Sequence, residues 1–474
     1  MRKLVTGIVM AVRFFTKEDK KLYNRALALA VPMMIQNGIT NAVGLVDSLM
    51  VGKLGTESFT GVSICGQLIF IFNLAIFGAI SGPGIFGAQY FGNKDVEGIR
   101  KTFRIKIWFV LLCLALGISI FVFGDEWLIN LYMKGESAEL DPVLAMTKAK
   151  EYLHIMLIGL VAFGITQIYA SSLRENNEST MPMVAGLTSV VTDVVLNYIL
   201  IFGKFGFPAL GVEGAAIATV IARFVEMTVI IVWAHARRKR FPFLQGVYRT
   251  LLVEREVFVP VIRKSLPIFI NEFLWAAGVA KLTQLYSNRG LAVVPAIGIS
   301  NALTNLLNVV FVAMGSAVGI VVGQMLGAGE TEGIKKKALS LMMFTAFLSL
   351  GLTAILLVAA PYFPRAYQTQ EEVKSMATMF IMITAFYFPL WGFLNAQYFI
   401  IRSGGKTLIT FIMDSGFTWA VCVLGVFIVI RFTDLPIFAV YVIAQSLDFL
   451  KVLFGLYLIN KGVWITNLVR KEEA

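Results

Sequence analysis

The chain has 474 residues, of which 58% are hydrophobic and 15% are charged, and its mean hydropathy is +0.78. A soluble protein of this length cannot hide so much apolar surface in one core, whereas lipid can solvate it. The formal net charge of +12 does not indicate nucleic-acid binding, because most Lys and Arg residues lie in short runs between apolar blocks, as at a membrane surface.

The apolar runs are long and continuous, which favours α-helices over the short alternating segments of a transmembrane β-barrel. A helix needs roughly 20 apolar residues to cross the hydrocarbon. The sequence therefore predicts an all-α polytopic membrane protein with twelve transmembrane helices, over residues 24–50, 58–86, 98–124, 144–172, 180–203, 212–235, 258–288, 293–326, 333–361, 372–401, 406–431 and 436–460.

The loops between these helices alternate in charge. One set is rich in clustered Lys and Arg, and the clusters cover 17–21, 94–106, 235–240, 335–337, 402–406 and 461–471. The other set holds more carboxylates, at 124–126, 136–141, 368–372 and 434. Clustered basic loops face the cytoplasm. We therefore expect a cell-membrane protein with both termini in the cytoplasm.

The sequence also contains an internal repeat. A shift of 235 residues places Pro32 on Pro267, Gln89 on Gln324 and Gly92 on Gly327. We expect two six-helix lobes, 24–235 and 258–460, around a central cleft. A cytoplasmic N-terminal segment (1–23), a cytoplasmic linker (236–257) and a cytoplasmic tail (461–474) complete the predicted organisation. Paired repeats in a membrane are typical of transporters that work by alternating access.

Five stretches resemble the multidrug and toxic compound extrusion (MATE) family. They are Leu45–Gly55, Leu173–Asn177, Asp193–Tyr198, Gly211–Ala216 and Leu266–Trp275. The resemblance extends over nearly the whole chain. It implies export of bulky, often cationic organic compounds, driven by inward flow of Na⁺ or H⁺. The family often shows Asn and then Asp at the positions of Asp193 and Asn197. The reversed order here leaves the transfer of the family's ion chemistry open.

Ionisable residues at bilayer depth are functional candidates, because each costs at least ~2.5 kcal/mol by insertion scales. Asp47 ends a polar stripe with Asn37 and Thr40 on one face of the first helix. Asp193 and Asn197 lie one turn apart on the fifth helix. We predict that Asp47, Asp193 and Asn197 bind the coupling ion. The alternatives are a wetted carboxylate at Asp47 and a packing hydrogen bond through Asn197.

The predicted substrate cleft contains Asn37, Thr40, Glu272, Trp275 and Lys281. Glu272 is equally well explained as a snorkelling or hydrogen-bonded glutamate near the inner interface. Lys281 would pair with a carboxylate across the cleft, select an anionic or zwitterionic substrate, or snorkel outward. Tryptophan at 275 would line a drug cavity, contact lipid or pack in the core.

Several kinds of chemistry have no signal in the sequence. There is no phosphate-binding GxxxxGK[ST] loop, no HExxH motif and no Cys/His cluster, and Cys65, Cys113 and Cys422 all lie in apolar segments. We therefore expect no enzyme activity, no cofactor beyond the coupling ion, and no metal other than Na⁺ at Asp47 and Asp193. The expected partners are small organic substrates and the lipid bilayer but not nucleic acid, and we expect a monomer.

The function predicted from the sequence is therefore an H⁺- or Na⁺-coupled antiporter that exports bulky organic, mainly cationic, compounds. Two alternatives remain open. A flippase for lipid-linked precursors has a similar two-lobe plan but needs a cleft rich in cations. A membrane receptor or scaffold that does not transport would bind a ligand without moving it.

Overall fold

A computed structural model describes residues 17–133 and 141–470, and this part of the chain is helical without strands. The long helices are α1 (Lys17–Gly52), α2 (Thr56–Gly92), α3 (Val96–Phe123), α5 (Pro142–Glu175), α6 (Thr180–Phe202), α7 (Gly211–Ala236), α8 (Arg255–Ser287), α9 (Val293–Gly327), α10 (Ile334–Ala359), α11 (Glu371–Ser403), α12 (Thr407–Phe432) and α13 (Ile437–Lys461). A short helix, α4 (Asp125–Tyr132), follows α3.

The prediction of an all-α membrane protein with twelve transmembrane helices is confirmed. Eleven of the described helices are long and apolar enough to cross a membrane. The remaining one, α8, is 33 residues long and coincides with the predicted seventh span, but two prolines and several charged residues interrupt it. Helix α12 is π-helical over Ile412–Gly416 and Thr418–Val423, a geometry that occurs mostly as single-turn bulges.

The structure corrects the predicted ends of several elements. The helices α1 and α2 are 36 and 37 residues long, so they extend beyond the predicted spans. Helix α4 lies where only a loop was expected, because Gly124 ends α3 and the next eight residues bury Ile129. The predicted N-terminal segment falls mainly outside the described residues, except that Lys17 to Lys21 already belong to α1.

The chain divides into two compact units. The N-terminal unit comprises Ile35–Gly87 and Asp95–Phe273. The C-terminal unit comprises the described residues up to Met34, Ala88–Lys94, and the described residues from Leu274 onward. Three helices, α1, α2 and α8, contribute residues to both units. The predicted lobe boundaries and the central cleft stay predictions.

Within the C-terminal unit, two repeat-related segments touch at backbone distance. A Cβ atom on Gly92 would lie 1.9 Å from the carbonyl oxygen of Gln324, and one on Gly327 would lie 1.9 Å from the carbonyl oxygen of Gln89. Both glutamine side chains are buried here, and the Nε2 of Gln89 donates to the Ser403 carbonyl at 2.9 Å. The two repeated segments therefore contact each other reciprocally, at positions where only glycine fits.

The N-terminal unit contains a fully buried ion pair. The Nζ of Lys106 lies 2.6 Å and 2.8 Å from the two carboxylate oxygens of Glu175, and 3.0 Å from the hydroxyls of Ser171 and Ser172. A Cβ atom on Gly87 would lie 2.1 Å from this carboxylate, so the glycine makes room for it. The sequence analysis grouped Lys106 with a basic loop cluster and did not identify this partner. Its side chain is 0% exposed because α5 supplies the partner.

We expect Gly92→Ala and Gly327→Ala each to destabilise the protein by ~1–3 kcal/mol, the usual range for overpacking. The added methyl group would force two backbones apart. Equilibrium unfolding of the purified protein in mixed micelles measures the effect. Gly351→Ala is the matched control, since nothing lies within 4 Å of a Cβ atom there. Equal stability of all three variants would contradict the close contact.

Removal of one member of the buried pair leaves an uncompensated charge. We therefore expect Lys106→Met to lower the free energy of unfolding by ~3–5 kcal/mol. The double variant Lys106→Met/Glu175→Gln should recover most of this loss, because it removes both charges. A double variant that is less stable than the single one would show that the two side chains do not act as a pair.

Candidate ion-coupling site

The predicted coupling residues lie on two helices of the N-terminal unit. Helix α1 carries Asp47 five residues before its end, and α6 carries Asp193 and Asn197 one turn apart. Ser189, one turn earlier, is buried and donates to the Ala222 carbonyl of α7 at 2.9 Å. The polar edge predicted for α6 is therefore buried against its neighbours.

Asn197 bridges the two carboxylates. Its Nδ2 donates to Asp47 Oδ1 at 2.9 Å and to Asp193 Oδ2 at 3.4 Å. An amide nitrogen has two hydrogens, so both are used. The structure thus brings together the three residues that the sequence proposed as one site, although their role in coupling stays a prediction.

Two oxygen atoms of this cluster have no hydrogen-bond partner. They are Oδ1 of Asp193 and Oδ1 of Asn197, and both are buried. A buried acceptor without a donor costs roughly 1–3 kcal/mol. A proton on the carboxyl group would supply a donor, and a hard cation such as Na⁺ takes oxygen ligands of this kind. The arrangement can therefore hold either ion.

Two other carboxylates in the transmembrane helices of the N-terminal unit contact a basic side chain. Glu175 pairs with Lys106, and Glu226 lies 3.5 Å from Arg223. No ion pair within 4.0 Å in the described part of the chain includes Asp47 or Asp193. The two carboxylates thus share one neutral amide, and neither has an ion-pair partner among the described residues.

The remaining predicted residues of α1 face a less enclosed environment. Asn37 is half-buried and Thr40 is exposed. Their neighbour Gln36, which the sequence analysis passed over, accepts from Arg174 at 2.9 Å and packs against Gly186. The polar stripe therefore continues to a second anchoring contact, between α1 and the end of α5.

The predicted cleft residues of α8 are divided between the two units. Glu272 belongs to the N-terminal unit, where its Cγ would lie 3.6 Å from a Cβ atom on Gly78. Trp275 and Lys281 belong to the C-terminal unit and are both exposed. Lys281 donates to Gln284 on its own helix at 2.8 Å. The predicted pairing of Lys281 with a carboxylate is not present among the described residues.

The C-terminal unit contains a charged cluster that the sequence analysis missed. Lys451 lies 3.0 Å from Asp414 of α12, while Asp448 accepts from the indole of Trp391 at 3.0 Å. Asp448 and Lys451 stand three residues apart on one helix, a spacing that favours an ion pair, but Lys451 contacts Asp414 instead. Arg223 and Glu226 have the same spacing, and they do pair at 3.5 Å. The sequence did contain a signal for this cluster, because Asp414 is an ionisable residue inside an apolar span.

The described residues contain no cluster of the kind that usually holds a metal ion. Within residues 17–133 and 141–470, no group of three or more His, Cys, Asp or Glu side chains is arranged to hold a metal ion. The cluster at Asp47 has two carboxylates and one amide, so it falls short of such a group.

The chain is similar to proteins of known family. The MatE family model matches residues 32–199 and 267–418. The probable multidrug resistance protein YoeA of Bacillus subtilis is 27% identical over 432 residues, covering 90% of this chain and 91% of that protein. The probable multidrug resistance protein NorM of Thermotoga maritima is 28% identical, covering 61% of this chain and 64% of that protein.

Solved structures share the fold at low identity. An outward-facing multidrug resistance MATE family transporter superposes with a TM-score of 0.80 at 20% identity, covering 92% of this chain and 96% of that one. A transporter of the MOP superfamily from Pyrococcus furiosus, for which a binding pocket of reverse polarity suggests a different function, gives 0.81 at 20% identity, covering 94% and 96%. The fold therefore leaves the substrate open.

The family match covers more than half of the chain, in two segments related by the internal repeat. The order of the motifs, the twelve helices and the structural neighbours agree with it. The chain belongs to the multidrug and toxic compound extrusion (MATE) family of membrane transporters.

Proposed function

We propose that this protein is an antiporter that exports bulky organic cations in exchange for inward-moving H⁺ or Na⁺. One observation carries the proposal: Asp47 and Asp193 share the single amide of Asn197 and have no basic partner within ion-pair distance. Like charges so close together favour uptake of a proton or a cation. Other members of the family are named multidrug resistance proteins, which supports export of organic compounds.

The coupling step follows from the same geometry. An ion drives transport only if it binds one conformation better than the other. The bond from Asn197 to Asp47 joins α6 to α1, and α1 contributes residues to both units. Neutralisation of the carboxylates would weaken the hydrogen bond between Asn197 and Asp47. The change would act on α1, the helix that carries Asp47 and contributes residues to both units. Asp193 and Asn197 would hold the ion, and Asp47 would transmit its presence to α1.

The proposed preference for cationic substrates is based on charge. A site with surplus carboxylates attracts cations, and aromatic side chains such as Trp275 bind them through their π faces. Lys281 opposes a cation and would instead favour an anionic or zwitterionic group. We propose that Asn37, Thr40 and Glu272 add polar contacts to the substrate, that no cofactor is needed beyond the coupling ion, and that the transporter is a monomer, which light scattering of the purified protein tests.

We also propose that the basic loops face the cytoplasm, as positively charged loops do. The variants Lys337→Cys and Asp434→Cys place one thiol on each predicted side. In intact cells, a membrane-impermeant maleimide should label the cysteine at 434 and leave the one at 337 unlabelled until the cells are opened. The reverse pattern overturns the orientation. A background with Cys65, Cys113 and Cys422 replaced by serine removes the native thiols.

Flux through the purified protein tests the coupling site. In proteoliposomes with an imposed pH or Na⁺ gradient, wild-type protein should drive uptake of ethidium, and the productive gradient names the ion. Asp47→Asn and Asp193→Asn should each lower gradient-driven flux by at least about tenfold, within the usual range of coupling energies between two sites. The reason is that an amide takes up no proton and offers Na⁺ no negative charge.

Two controls sharpen this test. Asp434→Asn removes an exposed loop carboxylate and should leave the flux unchanged. The exchange variant Asp193→Asn/Asn197→Asp keeps one carboxylate and one amide on the same face of α6, so flux should be retained within about threefold, a modest share of a coupling energy. Full flux in both single variants would sink the coupling site. Binding without flux would favour a receptor, and movement of labelled lipid precursors in place of ethidium would favour a flippase.

A further inference from the structure

The segment that joins the two halves of the sequence is a folded part of the N-terminal unit. Between α7 and α8 the chain forms a 3₁₀ turn at Pro242–Leu244. The side chains of Phe241, Phe243 and Val247 on this segment are buried. Rings of Phe103 on α3 and Phe243 pack together with centroids 5.9 Å apart. Linker residues therefore hold a fixed position over the start of α3.

Two arginines of α3 bind this segment through its backbone. The Nε of Arg100 donates to the Phe243 carbonyl at 3.2 Å, and the Nε of Arg104 donates to the Val247 carbonyl at 3.0 Å. The indole of Trp108, one turn further along α3, donates to the Leu251 carbonyl at 2.9 Å. These bonds fix the backbone around a pocket before any ligand arrives.

The pocket lies between the start of α3 and the end of the linker, with a volume of about 920 Å³, in the range of small-molecule sites. Its lining includes the charged or apolar side chains of Glu97, Arg100, Arg104, Arg249, Leu252 and Glu254. Three arginines thus face two glutamates. The pocket has a surplus of positive charge.

Both glutamates are already neutralised. Glu97 pairs with Arg100 and lies 3.7 Å from Arg104. Glu254 pairs with Lys101 at 2.6 Å, and the hydrogen bond from Lys101 lowers the pKa of this carboxyl group, which keeps it ionised. Within the described residues the guanidinium of Arg249 has neither a hydrogen bond nor an ion pair. It is the surplus cation.

Apolar side chains stand exposed beside the pocket. Leu252 is 80% exposed, Tyr248 is 53% exposed and Trp108 is 45% exposed. Tryptophan and tyrosine concentrate where hydrocarbon meets water. Because the apolar run of α3 starts directly after Arg104 and Lys106, we expect the pocket to open at the level of the lipid headgroups.

We propose that this pocket binds the phosphate headgroup of an anionic membrane lipid. The guanidinium of Arg249 would donate two hydrogen bonds to the phosphate oxygens, and the Arg100 side chain would add positive charge. Leu252 would lie against the lipid's glycerol and upper acyl chains. Basic pockets beside transmembrane helices are suited to such headgroups, and the fixed linker backbone lowers the ordering cost of binding.

Binding of defined lipids to the purified, delipidated full-length protein tests the proposal. Native mass spectrometry in detergent should find tighter binding of phosphatidylglycerol than of phosphatidylcholine. Arg249→Gln should weaken phosphatidylglycerol binding about fivefold, the effect of one basic residue at a membrane surface. The matched control is Lys239→Gln, which removes the same charge from the same segment outside the pocket lining, and it should change binding by less than about twofold.

Three results would overturn the proposal. Equal losses in the two variants would mean that binding follows net charge and not the pocket. An unchanged affinity in Arg249→Gln would remove the phosphate contact. If glycerol 3-phosphate binds as tightly as the lipid, and Leu252→Ser leaves lipid binding intact, the ligand is a soluble phosphate. Size-exclusion profiles matching wild type show that each variant is folded.

Discussion

Charged side chains at bilayer depth persist only where other groups replace the water they have lost. The described helices meet this requirement in two ways. Lys106 and Glu175 neutralise each other with help from two serine hydroxyls, and Lys451 does the same for Asp414. Asp47 and Asp193 instead share one amide. The second arrangement satisfies the carboxylates only partly, and the proposed ion exchange rests on this difference from the paired charges.

The internal repeat has a physical consequence beyond duplication. Gln89 and Gly92 recur as Gln324 and Gly327, and the structure sets these two segments against each other, each glycine under the carbonyl of the opposite glutamine. Neither half alone can form such a contact. The glutamine side chains bind further segments, including the tail, where Leu468 N donates to Gln89 at 2.7 Å. The repeat therefore brings two backbone segments of the C-terminal unit into direct contact.

The linker shows how surface chemistry and packing combine. Its basic character suggested only a tether on the cytoplasmic side. In the structure its aromatic residues are buried against α3, and its carbonyls bind Arg100 and Arg104. Arginines that look like membrane-surface charges in the sequence thus become structural donors. The guanidinium of Arg249 is left without such a contact among the described residues, and this is the basis of the proposed lipid contact.

The sequence by itself determined the helix number and the family. It also singled out Asp47, Asp193 and Asn197, which the structure brings together, while their role in ion coupling stays a prediction. The length of an apolar run determines whether a helix can cross a membrane. The four-residue spacing of Asp193 and Asn197 places both on one face of their helix in any tertiary structure. Contacts between helices were decided by tertiary structure alone. Spacing could not show that Lys106 meets Glu175, that Lys451 chooses Asp414 over Asp448, or that Lys281 binds Gln284. Such partners come from different helices or compete on one helix, and the choice depends on packing distances that no local pattern encodes.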